Sequence, residues 1–305
     1  MQSRPFTQVD VFTATAYLGN PVAVVLDGRG LDESDMQGFA RWTNLSETTF
    51  VLPPTEPDAD YRLRIFTPGG ELPFAGHPTL GSCHAWLEAG GAARDPQVVL
   101  QQCQVGLVRL RRDGNRLAFA APPLKRSTPG PADLGLVAAA LGLEPDQIVA
   151  AQLLDNGPVW LGLLLDSRQT VRALQPDHGH LRKLGIKVGV VALKPAITAP
   201  QLIERRNREA QAFKAGAPCP QAPDADMEVR AFAAPVGIDE DPVTGSLNAS
   251  LAQWLIADGY APQRYVAAQG ECLGRAGRVH IARDAQGQVW VGGDTVSCIS
   301  GQVRL

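Results

Sequence analysis

No stretch of this sequence stays apolar for the ~18 residues that a membrane-spanning helix requires, so no membrane partner is expected. The opening MQSRPFTQVDVF lacks a charged segment followed by a long apolar stretch and a small-residue cleavage site, and the expected location is the cytoplasm. Charge of one sign is also missing. Lys and Arg are scattered and the net charge is -3, which leaves no basic field to gather phosphates and excludes nucleic acid as an expected partner. Cysteine is sparse: Cys83, Cys103, Cys219, Cys272 and Cys298 are odd in number, widely spaced and never in a C-x-x-C pair, as fits reduced thiols. His178 and His180 have only Asp177 beside them as a further ligand type, so structural or solvated histidines are a better reading than a metal site.

What is present describes an ordinary globular chain. Apolar residues make up 45% and charged ones 19%, and 305 residues suffice for two domains, each with its own core. The boundary is expected in APPLKRSTPGPAD, Ala121 to Asp133, which is crowded with proline and has no apolar period. The expected domains are residues 1-124 and 130-293, with a last strand at about 294-305 returning to the first. PFTQVDVFT reads as a strand, Gly19 to Pro21 as a turn, and Val22 to Val25 as a second strand. LDESDMQGFARW reads as a helix capped by Asp32 or Ser34 with Met36, Phe39 and Ala40 inward. NLSETTFVL reads as a strand carrying Glu47 on the face opposite Phe50 and Leu52. A helix is expected from about Leu134 to Leu143, a buried strand in DNGPVWLGLLL, and a mobile surface excursion from Glu204 to Asp226.

Two distant segments share a pattern. RIFTPGGELPFAGHPTLGSCHAWL and RAFAAPVGIDEDPVTGSLNASLAQWL each carry Arg-x-Phe, a proline, then Glu-x-Pro-apolar-x-Gly, so that Glu71 to Gly76 answers Glu240 to Gly245. A helical run ending near Trp86 or Trp254 follows, and then strand, turn and strand in QQCQVGLVRLRRDGNRLAF and AAQGECLGRAGRVHIARDAQGQVWV. The chain is duplicated. At the junctions GHPTLG and GSLNAS a glycine admits close backbone approach, and the free amides of a helix start attract an anion. Two such starts facing one another would cradle a carboxylate; the plainer reading has Gly76 and Gly245 shaping turns and His77 and Ser246 capping helices.

Paired glycine-containing helix starts resemble those of diaminopimelate epimerase and proline racemase, which place a cysteine before each glycine. Here those places hold Ala75 and Thr244, which excludes a two-thiol racemase, and Cys83 and Cys272 are read as buried thiols. DVFTATAYLGNPVAVV, NLSETTFVL, FTPGGELPFAGHPTLG, RAFAAPVGIDEDPVTGS and QGECLGRAG resemble, in order, the signature blocks of the PhzF-like family. That resemblance implies an α+β, diaminopimelate epimerase-like fold of two pseudo-symmetric domains, each a curved or barrel-like, mainly antiparallel sheet around a central helix. It also implies a homodimer, no cofactor, and proton-shifting chemistry like that on trans-2,3-dihydro-3-hydroxyanthranilate.

The family's glutamate falls on Glu47, its histidine on His77, and its aspartate and serine on Asp241 and Ser246. These residue types suit proton transfer, since a carboxyl held out of water can have its pKa raised toward the working pH, as a group that takes and returns a proton needs. Ser246, Asn20 and the amides of Gly76 and Gly245 are the expected binders of a small carboxylated substrate. Asn248 and Pro78 stand where histidine and alanine are frequent, and are expected at the rim of the site. An amino-acid racemase using Glu47 and a histidine, and a non-catalytic small-acid binder, are the alternatives.

Overall fold

The computed structural model describes residues 1–114, 116–194, 222 and 224–305, so most of the excursion expected over 204–226 lies outside them. Within the described residues, β-branched runs broken by Gly, Asn and Pro become strands. Ser3–Val11 (β1) and Asn20–Val25 (β2) pair antiparallel with Val11 opposite Asn20. Glu33–Thr43 (α1) follows, capped by the Asp32 carboxylate, which accepts from the Asp35 amide. This helix buries Met36 and Ala40 and carries the chain back, so Thr48–Leu52 (β3) runs parallel to β2. Tyr61–Thr67 (β4) pairs antiparallel with β3 and turns into Gly70–Leu72 (β5). Gly76–Glu88 (α2) is the next crossover and brings Val98–Cys103 (β6) parallel to β4. Gly106–Asp113 (β7) and Arg116–Ala120 (β8) complete the run with antiparallel steps.

The same order then recurs. After Lys125–Ser127 (β9) and the helix Pro131–Leu141 (α3), Ile148–Asp155 (β10) and Val159–Leu165 (β11) pair antiparallel. Two short helices, Arg168–Ala173 (α4) and His178–Leu184 (α5), lead to Val188–Leu193 (β12), parallel to β11. Met227–Ala233 (β13) is antiparallel to β12 and pairs with Ile238–Asp241 (β14). Gly245–Ala257 (α6) brings Arg264–Gln269 (β15) parallel to β13, and Gly277–Arg283 (β16) and Val289–Gly293 (β17) follow antiparallel. Strand for strand, β1–β8 and β10–β17 repeat one pairing scheme. The two units are tied by exchange: β9 pairs with β10, the final strand Thr295–Arg304 (β18) pairs with β1, and β8 pairs with β17.

The repeated motif has a structural meaning of its own. Arg64 grips Glu71 through two bonds of 2.6 and 2.7 Å and lies 5.0 Å over the Phe66 ring. Arg230 grips Glu240 at 2.8 and 2.9 Å and lies 5.0 Å over Phe232. Arg-x-Phe and the following Glu are therefore a clamp that closes each hairpin ahead of its helix. One apolar core runs through both units, taking Leu80 and Cys83 from α2 and Leu247, Leu251 and Leu255 from α6.

Three expectations are corrected. The proline-rich connector contains β9, and α3 starts at Pro131 rather than Leu134, because a first-turn proline gives up an amide that no helix bond uses. Cys83, Cys103 and Cys298 are free, whereas Cys272 is disulfide-bonded and half-buried, so it is neither a reduced nor a buried thiol. Glu47 stands just before β3 rather than within it, since the left-handed Asn44 (φ 55°) ends α1 and sends the chain through a bend first. No helix among the described residues is long and apolar enough to cross a membrane.

Candidate active site

The two sister helices meet start to start. A Cβ added to Gly245 would lie 3.2 Å from the Gly76 Cα and 3.3 Å from the His77 amide nitrogen. A Cβ on Gly76 would come within 2.7 and 2.8 Å of the Phe119 ring. A side chain at Gly76 would force the ring to shift, and one at Gly245 would crowd the opposite helix start. Neither Ala75 nor Thr244, the residues that precede the helices, caps a first-turn amide with its side chain, so the leading amides of both helices remain donors. His77 and Ser246 are thus second helical residues, not caps. Gly76→Ala is expected to cost about 1–3 kcal/mol, measured by urea unfolding; an unchanged midpoint would show that the ring and the helix start are not in contact.

Glu47 reaches this junction from the end of α1. Its carbonyl accepts from the Ala23 amide at 3.4 Å, and its carboxylate Oε2 stands 3.2 Å from His77 Nε2. Both atoms are buried, and neither makes a well-formed hydrogen bond among the described residues. Buried polar atoms are nearly always bonded, so two orphans facing each other at contact distance set this place apart. On the other side of the imidazole, Asn20 Nδ2 lies 3.4 Å from His77 Nδ1, 3.0 Å from Asp241 Oδ1 and 2.8 Å from the Val243 carbonyl. An amide has two N–H groups, and the shorter distances assign them to Asp241 and Val243. Asn20 therefore joins the two units through Asp241.

Asp241 is held from behind. Thr244 Oγ1 donates to its Oδ2 at 2.5 Å, and Gln269 Nε2 donates to its carbonyl at 3.0 Å and to Thr244 Oγ1 at 2.9 Å. Asn248 donates to Gln269 Oε1 at 2.8 Å and to the Thr244 carbonyl at 2.9 Å. Asn248 is buried in this network, which corrects its expected place at the rim. Thr244 stands out in the sequence only as the place of an absent cysteine. Gln269 does not stand out at all, although it opens the block QGECLGRAG.

Burial dominates the electrostatics. It pushes the Glu47 carboxyl up to about 7, against the opposing hydrogen bond from Ser46. It lowers His77 to about 4, against the pull of Asp241, the Pro21 carbonyl and Asp10. Asp241 is raised to about 6 by burial and by Glu47, while His77, Thr244 and Asn20 oppose the rise. Near neutrality His77 is uncharged and Glu47 divides between its acid and its carboxylate. That is the condition for a group that both accepts and donates.

The structure thus brings Glu47, His77, Asn20 and Asp241 together over the abutting Gly76 and Gly245. Ser246 points elsewhere in part: its Oγ accepts from Trp160 Nε1 at 3.3 Å and its carbonyl from Asn156 Nδ2 at 2.9 Å. His178 packs against Phe232, and the described residues gather no group of three or more metal-ligand side chains.

Comparison with known proteins agrees with this architecture. A protein of Schizosaccharomyces pombe named Antisense-enhancing sequence 1 is 33% identical over 99% of both chains. The trans-2,3-dihydro-3-hydroxyanthranilate isomerase of Pseudomonas aeruginosa is 31% identical over 98% of this chain and 99% of its own. A Bacillus anthracis phenazine biosynthesis protein of the PhzF family superposes with a TM-score of 0.80 at 20% identity, covering 100% of both chains. The family described as phenazine biosynthesis-like protein matches residues 9–301, and this chain belongs to it.

Proposed function

We propose that this chain, an isomerase, moves a proton between two carbons of a small, cyclic, carboxylated substrate, with Glu47 as the acid and base. The observation that carries the reading is the buried contact of 3.2 Å between Glu47 and a neutral His77 at the meeting point of two helix starts. The Glu47 carboxylate takes a proton from a carbon whose bonding pair passes into the substrate's conjugated system. The resulting carboxylic acid then returns the proton to a second carbon of that system, so nothing is gained or lost. The amides of Gly76 and Gly245, with Ser246, bind the substrate carboxylate, and Asp241 with Asn20 holds an amino or hydroxyl substituent.

The activity named for the Pseudomonas aeruginosa relative supplies the first substrate to try. In deuterium oxide, trans-2,3-dihydro-3-hydroxyanthranilate should be isomerised with deuterium entering one ring carbon, read by NMR; a substrate recovered without isomerisation or label would contradict the scheme. Scrambled stereochemistry without a double-bond shift would instead indicate a racemase. A homodimer is the assembly this reading expects, to be checked by light scattering.

The pH dependence follows from the ionisation of Glu47. Because the carboxylate form starts the reaction, kcat/KM should climb with pH and level off above about 7, the value to which burial raises Glu47. A profile flat between about 5 and 8 would contradict this.

A further inference from the structure

In the strands beside the site, the register of one unit matches that of the other. Thr48 pairs with Phe66 and Ala23, and Val188 pairs with Phe232 and Leu161. Since Phe66 and Phe232 occupy the same place in the repeated Arg-x-Phe, Thr48 answers Val188, and the residue before each answers likewise. Glu47 therefore has a counterpart, and it is Lys187. A backbone bond repeats the equivalence: Ala23 N donates to the Glu47 carbonyl at 3.4 Å, and Leu161 N to the Lys187 carbonyl at 2.8 Å. In the same way His77, next to Gly76, answers Ser246, next to Gly245.

Duplication has thus placed a carboxylic acid beside the start of α2 and a cation, by way of Trp160, near the start of α6. The ammonium of Lys187 lies 4.9 Å over the ring of Trp160, and the indole N–H of that ring donates to Ser246 Oγ. Trp160 therefore carries the charge on its face and the serine on its edge. Asn156, 8% exposed, donates to the Ser246 carbonyl, and its own Oδ1 is buried with no hydrogen bond among the described residues. Lys187 is half-buried, and burial alone, with no charged neighbour contributing among the described residues, lowers its pKa. A cation drawn partly out of water beside an uncapped helix start is costly unless an anion visits it.

We propose that Lys187 is the fixed cation of this site, holding the substrate's carboxylate against Ser246 and the leading amides of α6 so that the reacting carbon is presented to Glu47. The assignment rests on the isomerase reading of the same cleft. The simpler role, a lysine stem packed on an indole for stability, makes a different prediction, because it depends on the stem and not on the charge of the ligand.

Anthranilate, which has a ring, an amino group and a carboxylate, separates the two roles when compared with anthranilamide, its uncharged isostere. Binding is measured by calorimetry on the intact protein. Lys187→Met and Lys187→Gln should each weaken anthranilate about ten- to hundredfold while leaving anthranilamide unchanged. Lys187→Arg should retain most of the affinity. Equal weakening of both ligands, or of neither, in the charge-removing variants would overturn the role of Lys187 alone. A wild type that takes up no anthranilate would overturn the carboxylate cradle and Lys187 with it.

Discussion

Glu47→Gln is expected to lower turnover by about 10²–10⁴-fold, the usual contribution of a positioned acid and base, while the folded protein becomes more stable above neutral pH. The amide keeps the size and the polar contacts of the carboxyl but can neither accept a proton from carbon nor return it. The gain in stability comes from the same burial that suits Glu47 to its work. Its pKa is about 7 in the folded protein against an ordinary 4.5, so the folded state binds this proton more tightly than the unfolded chain does. The stability contributed is fully present below about 4.5 and is lost as pH rises through about 7. Across that window the loss amounts to about 2–3 kcal/mol. Glutamine, which does not titrate, should escape it. Urea unfolding at pH 5 and pH 8 would show wild type and variant diverging at the higher pH; parallel curves would mean that Glu47 is well solvated.

Arg230→Ala should be the most damaging change away from the site, at about 3–5 kcal/mol. Arg230 and Glu240 are each 7% exposed, and the same guanidinium also donates to the carbonyls of Val171 at 3.2 Å and Leu174 at 2.9 Å. Its removal strands a buried carboxylate and two backbone acceptors at once. The sister change Arg64→Ala should cost less, because Arg64 is 18% exposed, Glu71 13%, and the third member, Glu33, 74%. Denaturant midpoints of the two variants decide the order. Equal, small losses would show that the clamps are surface pairs in effect.

The duplication was legible because the clamp repeats its residues: Arg64 with Glu71 and Arg230 with Glu240 recur in the same order along the chain. What the pattern means was not legible. A spacing cannot show that the repeated glutamates face away to their arginines while Glu47, outside the repeated motif, faces His77. The grouping of Glu47, His77, Asp241 and Asn20 in one site came from the resemblance to the PhzF-like family, and the contact itself from pairing across 57 and 221 residues of chain. The network joining Thr244, Gln269 and Asn248 was not legible as a network, since hydrogen bonds between residues 21 to 28 apart create no local period. Lys187 was the least visible of all. NLSETTF and GIKVGVV share no motif, and only the strand register makes Glu47 and Lys187 equivalent.

If one carboxyl group carries the proton from carbon to carbon, the substrate's own hydrogen must be able to reappear in the product. The direct measurement uses trans-2,3-dihydro-3-hydroxyanthranilate deuterated at the carbon that loses its proton, turned over in ordinary water. Glu47 should hand part of that label to the receiving carbon, the remainder being lost to solvent while the acid is exposed, and Glu47→Gln should abolish the transfer. Label transferred undiminished by the glutamine variant would place the proton on another group and contradict the account.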